Sequence, residues 1–236
     1  MAKIFITGGI SSGKSQFAEN TALALYKSNI IADAGMSGGI TGGTETNADN
    51  FSLLHFIATA NTKIKTSANN NADAELNAED NKQNKNEIDA AEDIKDGEML
   101  LKIIRHKEKR NKVFVVHENF GDLTAEIDAI FNSLPDERIA ERCVILIDSM
   151  TLWLSSFFTG IKYLDSAAET VLKFAEYLSG IKCSVVTVSD SLGFNLVSAN
   201  AYVRKFVELN GLMEQKLSAV SDKAYCVIAG NPLALK

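Results

Sequence analysis

The chain has 236 residues, 46% of them hydrophobic, and a formal net charge of −6. This length and apolar content are typical of one folded α/β domain, and the acidity argues against a nucleic-acid-binding protein. No apolar run is long enough to span a membrane, and the first residues lack a signal-peptide pattern, so we expect a cytoplasmic protein. Three well-separated cysteines, Cys143, Cys183 and Cys226, lie at or near the starts of apolar runs. Such spacing indicates buried core thiols in a reducing compartment.

The first predicted elements are a strand over Lys3–Thr7, a glycine-rich loop and a helix over Ser15–Ser28. The loop reads GGISSGKS and matches the phosphate-loop pattern G-x-x-x-x-G-K-S in its expected strand–loop–helix context. Its backbone N–H groups surround a phosphate, its lysine reaches the β- and γ-phosphates as a catalytic cation, and its last serine holds Mg²⁺. The alternative is a flexible Gly/Ser turn. The predicted nucleoside triphosphate site comprises Gly8, Gly9, Ser11, Ser12, Gly13, Lys14 and Ser15.

Five more apolar runs predict further strands, and most of them are continuous rather than alternating. These runs are His55–Ala60, Val113–Val116, Cys143–Asp148, Cys183–Ser189 and Tyr225–Ala229. Helical periodicity appears between and after them, at Gly97–Lys109, Ala167–Ser179 and Ala199–Val220. Continuous apolar strands separated by helices predict a mostly parallel, doubly wound sheet with helices on both faces. We therefore expect one nucleotide-binding domain over residues 1–236.

Two polar stretches interrupt this alternation. Ile31–Asn50 is rich in Gly, Thr, Ser and Asn, and Asn61–Lys95 is rich in Asn, Asp, Glu and Lys. Segments of this composition bury too little apolar surface to offset their ordering entropy. We expect residues 61–95 to form a mobile, low-complexity surface insertion; a lid or a partner-binding arm is the alternative.

An aspartate ends the predicted strand CVILID. Phosphate-loop enzymes hold Mg²⁺ with an acidic residue at the tip of a hydrophobic strand, which predicts a metal-binding role for Asp148. The alternative is a helix cap or turn residue, because Ser149 and Thr151 follow.

A histidine lies in the basic predicted helix DGEMLLKIIRHKEKR. Neighbouring cations favour the neutral form of His106, which leaves a ring nitrogen free as a nucleophile, and the same cations attract a triphosphate. The alternative is an ordinary solvated residue on a basic helix.

Taken in order, these segments resemble one known family over nearly the whole chain. They are GGISSGKS, IATA, D-G-E-M-x-x-K-I-x-x-H-K-x-x-R, ILIDSMTLWLSS, VSDSLG, R-K-F-x-E-L-N-G-x-x-x-Q and VIAGNPLALK. The chain is similar to the bifunctional adenosylcobinamide kinase / adenosylcobinamide-phosphate guanylyltransferase family of cobalamin nucleotide-loop assembly. The resemblance implies a RecA-like phosphate-loop fold and a homo-oligomer, a trimer in relatives.

The family's two reactions become the expected function. A nucleoside triphosphate, ATP or GTP, phosphorylates the aminopropanol hydroxyl of adenosylcobinamide, a corrinoid. A histidine, which corresponds to His106, then attacks the α-phosphate of GTP, releases pyrophosphate and carries GMP to adenosylcobinamide phosphate. The resemblance places the family's nucleotide-contacting glutamate at Glu118 or its neighbour His117, and implies Mg²⁺ as the cofactor. Nucleic acid and a membrane span are not expected.

The chain departs from the family pattern at several positions. Ser11 replaces an arginine in the loop, and S-N-E-V-G reads Ser189-Asp190-Ser191-Leu192-Gly193, without its glutamate. Glu214 stands where relatives carry the asparagine of G-x-x-N-Q. These changes leave two alternatives open. One is a small-molecule kinase without the histidine step, and the other is a degenerate, non-catalytic GTP-binding protein.

Overall fold

Strands of the described residues form one mainly parallel sheet. The structure is a computed structural model and describes residues 1–34, 52–59, 112–118, 121–194 and 197–236. Its strands are β1 (Lys3–Gly8), β2 (Leu54–Ala58), β3 (Val115–His117), β4 (Val144–Asp148), β5 (Ser184–Asp190), β6 (Lys223–Ile228) and β7 (Asn231–Ala234). They lie in the order β3-β2-β4-β5-β1-β6-β7, and only the pairing of β7 with β6 is antiparallel.

Helices connect most of the strands, and several begin at a capping side chain. They are α1 (Lys14–Ala34), α2 (Leu123–Asn132), α3 (Glu137–Arg142), α4 (Met150–Phe157), α5 (Leu164–Gly180) and α6 (Ala201–Val220), with a 3₁₀ turn at Ile161–Tyr163. Asp122, Asp136, Ser149 and Asn200 each accept a hydrogen bond from a backbone N–H of the first turn of α2, α3, α4 and α6, respectively. Such caps satisfy N–H groups that have no partner inside the helix.

Alternate side chains of each strand enter two separate cores. Ile4, Ile6 and Val186 pack on one face with Ala18 and Ala22 of α1. The other face carries the apolar stripes of α2, α4, α5 and α6. Its fully or almost fully buried side chains include Phe5, Ile57, Ile145, Ile147, Ile127, Leu154, Phe174 and Met213. Helices therefore cover both faces, which explains the continuous apolar strands and confirms the predicted fold class.

The predicted elements are mostly confirmed within the described residues. Six predicted strands are present, although the third lies at Val115–His117 rather than Val113–Val116. The prediction for residues 31–34 was wrong: Ile31–Ala34 continue α1 instead of opening a polar loop. Helices α2, α3 and α4 and strand β7 were not predicted, because short elements carry too few periods to be recognised.

Two further predictions concern the helix Gly97–Lys109 and the stretch Asn61–Lys95. Both segments lie outside the described residues. All described residues belong to one compact unit made of Met1–Ala60 and Lys112–Lys236. The extent of the domain over residues 1–236 stays a prediction.

The three cysteines are buried free thiols, as predicted. Cys143 and Cys183 are fully buried and directly precede the neighbouring strands β4 and β5, and the contact with Cys183, together with burial, raises the pKa of the Cys143 thiol. A thiol with a raised pKa is a packing residue rather than a nucleophile. Among the helices of the described residues, none is long and apolar enough to cross a membrane.

Candidate nucleotide site

The carboxyl ends of the parallel strands bring the predicted site residues to one edge of the sheet. The phosphate loop follows β1, Asp148 ends β4, and Glu118 directly follows β3. A further carboxylate, Asp190, ends β5 opposite Gly8 in the strand register. Ligands of open parallel sheets bind outside the carboxyl ends of the strands, so this edge is the candidate site.

The phosphate loop is held by hydrogen bonds of its own backbone and of a neighbouring turn. Ser12 N donates to Gly9 O at 3.2 Å, and Gly230 N, in the turn between β6 and β7, donates to Ser12 O at 2.8 Å. Ser11 has a φ of 59° and Gly13 a φ of 94°. A serine in this left-handed region is uncommon.

Gly8 admits no larger side chain, whereas Gly9 does. A Cβ at Gly8 would lie 2.5 Å from Val227 O and 2.7 Å from Ser12 Oγ, but a Cβ at Gly9 would meet nothing within 4 Å. We expect G8A to lower the unfolding free energy by about 1–3 kcal/mol through overpacking. Urea denaturation measures this, with G9A as the matched control. Equal stability of the two variants would contradict the close approach.

Lys14 lies buried at the start of α1, where protein groups hold its ammonium. Its Nζ is 2.6 Å from Asp190 Oδ1 and donates to Gly9 O at 3.2 Å. The Lys14 side chain is 10% exposed and that of Asp190 is 25% exposed. Because the ion pair is largely shielded from water, its mutual attraction is stronger than that of a surface pair.

Asp190 is fixed by its main chain. Its N–H donates to Thr151 Oγ1 at 2.8 Å, and its carbonyl accepts from Asn210 Nδ2 at 3.0 Å. Ser191 N also donates to Gly8 O at 3.0 Å, which ties the end of β5 to the phosphate loop. The sequence prediction missed Asp190 as a site residue. The signal was present, because Asp190 ends an apolar strand just as Asp148 does.

Glu214 lies behind the loop, on α6. Thr7 Oγ1, one residue before the loop, donates to Glu214 Oε1 at 2.5 Å. Burial raises the pKa of Glu214, and the nearby Asp190 carboxylate adds to that effect, while hydrogen bonds from Thr7 and Ser189 oppose it. Burial and the negative charge of Asp190 therefore both favour the protonated form of Glu214.

The raised pKa of Glu214 predicts that the stability of the protein depends on pH. Below its ordinary pKa of 4.5 the carboxyl is protonated in both the folded and the unfolded protein. As the pH rises through the folded-state pKa, ionisation in the folded protein costs stability. E214Q is neutral at every pH and still accepts from Thr7. Its advantage in unfolding free energy over the unmodified protein is expected to grow above pH 4.5.

Thermal or urea unfolding, measured from pH 4 to pH 8 in steps of about one pH unit, gives the difference in unfolding free energy between the two proteins. The matched control is E208Q, which removes an exposed carboxylate from the same helix and should change stability by less than about 0.5 kcal/mol. A difference between E214Q and the unmodified protein that stays constant with pH would contradict the prediction.

Asp148 is not the helix cap that the sequence left open as an alternative. Ser149 caps α4, with its side chain accepting from Leu152 N at 3.4 Å. Thr59 Oγ1 accepts from Ser149 N at 2.9 Å and donates to Ser149 O at 2.5 Å, and Thr59 N donates to Asp148 O at 3.2 Å. The main chain around Asp148 is therefore anchored to the segment after β2.

The polar groups at this edge have the chemistry that Mg²⁺ requires. Ser15 supplies a hydroxyl oxygen in the first turn of α1, and Asp148 supplies carboxylate oxygens at the end of β4. Mg²⁺ is bound in nucleotide sites by such oxygens together with substrate phosphates and water. The donor set fits the ion by chemical type.

Two of the three histidines have both ring nitrogens engaged. His55 Nε2 lies 2.9 Å from Ser52 O, and its Nδ1 lies 2.9 Å from His117 Nε2. His117 Nδ1 in turn lies 2.6 Å from Glu126 Oε1. Burial lowers the pKa of His55 to about 4, and His117 contributes to this.

These contacts assign the protons. Because a carbonyl only accepts, His55 Nε2 carries a hydrogen, and the neutral ring must accept at Nδ1 from His117 Nε2–H. His117 Nδ1 faces the Glu126 carboxylate. Both ring nitrogens of His55 and of His117 are engaged, so neither ring can act as a nucleophile without losing a hydrogen bond.

Three predicted residues remain, namely His106, His117 and Glu118. His106 lies outside the described residues. His117, the alternative to Glu118 at the family's glutamate position, is turned toward α2 through Glu126. Glu118 is half-buried at the carboxyl end of β3. Glu118 thus remains the candidate for nucleotide contact.

Comparisons with known proteins show the family of the chain. The model of the family "Cobinamide kinase / cobinamide phosphate guanyltransferase" matches residues 71–235. The chain is 28% identical over 143 residues to the bifunctional adenosylcobalamin biosynthesis protein CobP of Pseudomonas aeruginosa, covering 60% of this chain and 76% of that protein. It is 24% identical over 153 residues to the corresponding protein CobU of Salmonella typhimurium, covering 62% and 83%. The family match spans more than half of the chain, and the chain therefore belongs to the cobinamide kinase / cobinamide phosphate guanyltransferase family.

Proposed function

We propose that this chain catalyses both reactions of its family, phosphorylation of adenosylcobinamide and transfer of GMP from GTP to adenosylcobinamide phosphate. The observation that carries the proposal is the phosphate loop, with Lys14 held at its rim by Asp190. The loop ends β1 at the carboxyl edge of the sheet, beside Asp148 and Asp190. This edge supplies the backbone N–H groups, cation and carboxylates that a triphosphate with its metal requires.

In the kinase step the loop residues position the donor. Backbone N–H groups of Gly9, Ser11, Ser12 and Gly13 bind the phosphates, and Lys14 neutralises charge on the β- and γ-phosphates as the bond between them breaks. Positioning and charge stabilisation account for most phosphoryl-transfer catalysis. ATP and GTP are both proposed as donors.

In the guanylyl transfer the same loop would hold the leaving group. A nitrogen of His106 attacks the α-phosphorus of GTP, the bond to the bridging oxygen of pyrophosphate breaks, and GMP remains on the histidine. The oxygen of adenosylcobinamide phosphate then displaces the histidine. Support comes from the hydrogen bonds that occupy both nitrogens of His55 and His117, because His106 is the remaining histidine of three.

We propose Mg²⁺ as the metal cofactor, held by Ser15 and Asp148 with phosphate oxygens. When bound, the ion supplies positive charge that offsets the negative charge of the leaving phosphates. Glu118 is proposed to contact the nucleotide from the end of β3. A homotrimeric assembly and a cytoplasmic location complete the proposal, and light scattering of the purified chain measures the former.

The direct test is a pair of transfer assays on the purified full chain with Mg²⁺. The γ-labelled triphosphate should transfer its label to adenosylcobinamide, and α-labelled GTP should transfer its label to adenosylcobinamide phosphate. Label transfer in the first assay alone would identify a kinase without the histidine step. Tight GTP binding with no transfer in either assay would identify a non-catalytic GTP-binding protein and contradict the proposal.

A further inference from the structure

A carboxylate that the sequence prediction did not include lies beside the phosphate loop, because Asp190 is opposite Gly8 in the strand register. Asp190 Oδ1 is 2.6 Å from Lys14 Nζ, the atom that a phosphate loop places on the β- and γ-phosphates. The Asp190 side chain is 25% exposed, so it lies at the rim of the site rather than beneath it. The Asp190 carboxylate is therefore accessible from solvent beside the phosphate loop.

Asp190 cannot readily follow Lys14 when the lysine turns to a nucleotide. Its N–H is bound to Thr151 and its carbonyl to Asn210, a residue that is 1% exposed. The next residue, Ser191, is bound to Gly8. The lysine side chain is long and flexible, whereas the aspartate is short and anchored on both sides. Nucleotide binding thus takes the cation away and leaves the carboxylate in place.

The carboxylate that remains needs a new hydrogen-bond donor. The phosphates beside it are anionic and cannot donate a hydrogen bond to it. A hydroxyl group directed at the γ-phosphate is a neutral donor that fits this position. Its proton becomes strongly acidic as its oxygen bonds to phosphorus, and a nearby carboxylate with no cation is the group that accepts it.

We infer that Asp190 is the catalytic base of the kinase reaction, an inference that rests on the proposed function. The substrate hydroxyl oxygen forms a bond to the γ-phosphorus, and its proton passes to the Asp190 carboxylate. The bond between the γ-phosphorus and the β,γ-bridging oxygen breaks, and its electron pair leaves with the nucleoside diphosphate. Lys14, released from Asp190, stays on the phosphates. Ser191 stands at the glutamate position of the family's S-N-E-V-G pattern, and Asp190, one residue earlier, supplies a carboxylate instead.

The test compares D190N with the unmodified chain in both transfer assays. Kinase kcat should fall by about 10²–10⁴-fold, because an amide cannot accept the proton. Guanylylation of the protein by α-labelled GTP should stay within about threefold, because no substrate hydroxyl loses its proton in that step. GTP affinity should not weaken, since Lys14 no longer leaves an ion pair to bind phosphate. The matched control is D165N, which removes an exposed carboxylate at the start of α5.

Three results would overturn the assignment. The first is a kinase kcat within about threefold of normal in D190N, and the second is an equal loss of both transfers. The third is a kinase activity of D190N that recovers when the Mg²⁺ concentration is raised, which would make Asp190 a metal ligand instead. If the unmodified chain transfers no γ-phosphate, the kinase half of the proposed function and this inference both fail.

A second variant keeps the test decisive if D190N does not fold. D190E retains a negative charge for Lys14 but moves the carboxylate by one methylene group. A misplaced base should still lower kinase kcat by at least about tenfold while guanylylation persists. Full kinase activity in D190E would count against a base at this exact position, since general-base catalysis depends on the placement of the carboxylate.

Discussion

Replacement of His106 by alanine is expected to abolish the covalent GMP adduct of this protein. In the proposed mechanism GMP is attached to a histidine nitrogen, and alanine has no nucleophile to replace it. Incubation with α-labelled GTP and Mg²⁺, followed by denaturing gel electrophoresis, measures the adduct. A phosphoramidate should be labile in acid and stable in base, which distinguishes it from an ester on a serine.

The other two histidines provide matched controls. H117Q and H55Q remove rings whose nitrogens are both bonded to neighbouring groups, so each variant should retain the adduct. H55Q is expected to be less stable, because His55 is buried and bonded at both nitrogens. Retention of the label in H106A, or its loss only in H117Q, would exclude His106 as the nucleophile. The kinase reaction of H106A should persist, since no step of that reaction uses the histidine.

Replacement of Lys14 by alanine is expected to impair both reactions together. Lys14 is the cation proposed to lie on the phosphates whether they belong to the transferred group or to the pyrophosphate leaving group. Loss of one preorganised charge donor typically lowers kcat by about 10²–10³-fold. Steady-state kinetics with γ-labelled and α-labelled nucleotides measure the two losses separately.

K173A is the control for K14A, because Lys173 pairs with Glu169 on the exposed surface of α5 and lies in no candidate site. Such pairs contribute little to stability. K14A also removes the cation from Asp190, so thermal unfolding of K14A must accompany the kinetics. A folded K14A that loses only one of the two reactions would show that the two transfers do not share the loop.

The different effects expected in K14A, H106A and D190N separate the two half-reactions. K14A affects both, H106A affects guanylyl transfer alone, and D190N affects the kinase alone. The three variants assign residues from three different parts of the chain to distinct steps. A single nucleotide site that serves two chemistries would give this pattern, whereas two separate sites would not.

Residues close together in sequence made the phosphate loop predictable. Gly8, Gly13, Lys14 and Ser15 act as one local turn, whose backbone geometry is dictated by the glycines and by the helix that begins there. The strands were recognisable for a related reason: burial on both faces requires continuous apolar residues. The resemblance to the family was confirmed, and the family model matches residues 71–235.

Short elements and paired polar groups were not predictable. Helices α2, α3 and α4 are at most ten residues long, too short for a clear apolar period. Strand β7 has no buried residue, so its pairing with β6 leaves no hydrophobic pattern in the sequence. The hydrogen bonds between His55, His117 and Glu126 join residues from three separate elements, and nothing in the local sequence indicates such contacts.

The sequence by itself determined that this chain has a phosphate loop, a doubly wound parallel sheet and the ordered motifs of one enzyme family. Each of these depends on local turn geometry or on apolar periodicity, which neighbouring residues encode. Only the tertiary structure decided that Asp190 lies on Lys14 and that Glu214 lies behind Thr7, at sequence separations of 176 and 207 residues. Charge interactions depend on distance in space, and the sheet order β4-β5-β1 sets that distance by placing the end of β5 beside the loop.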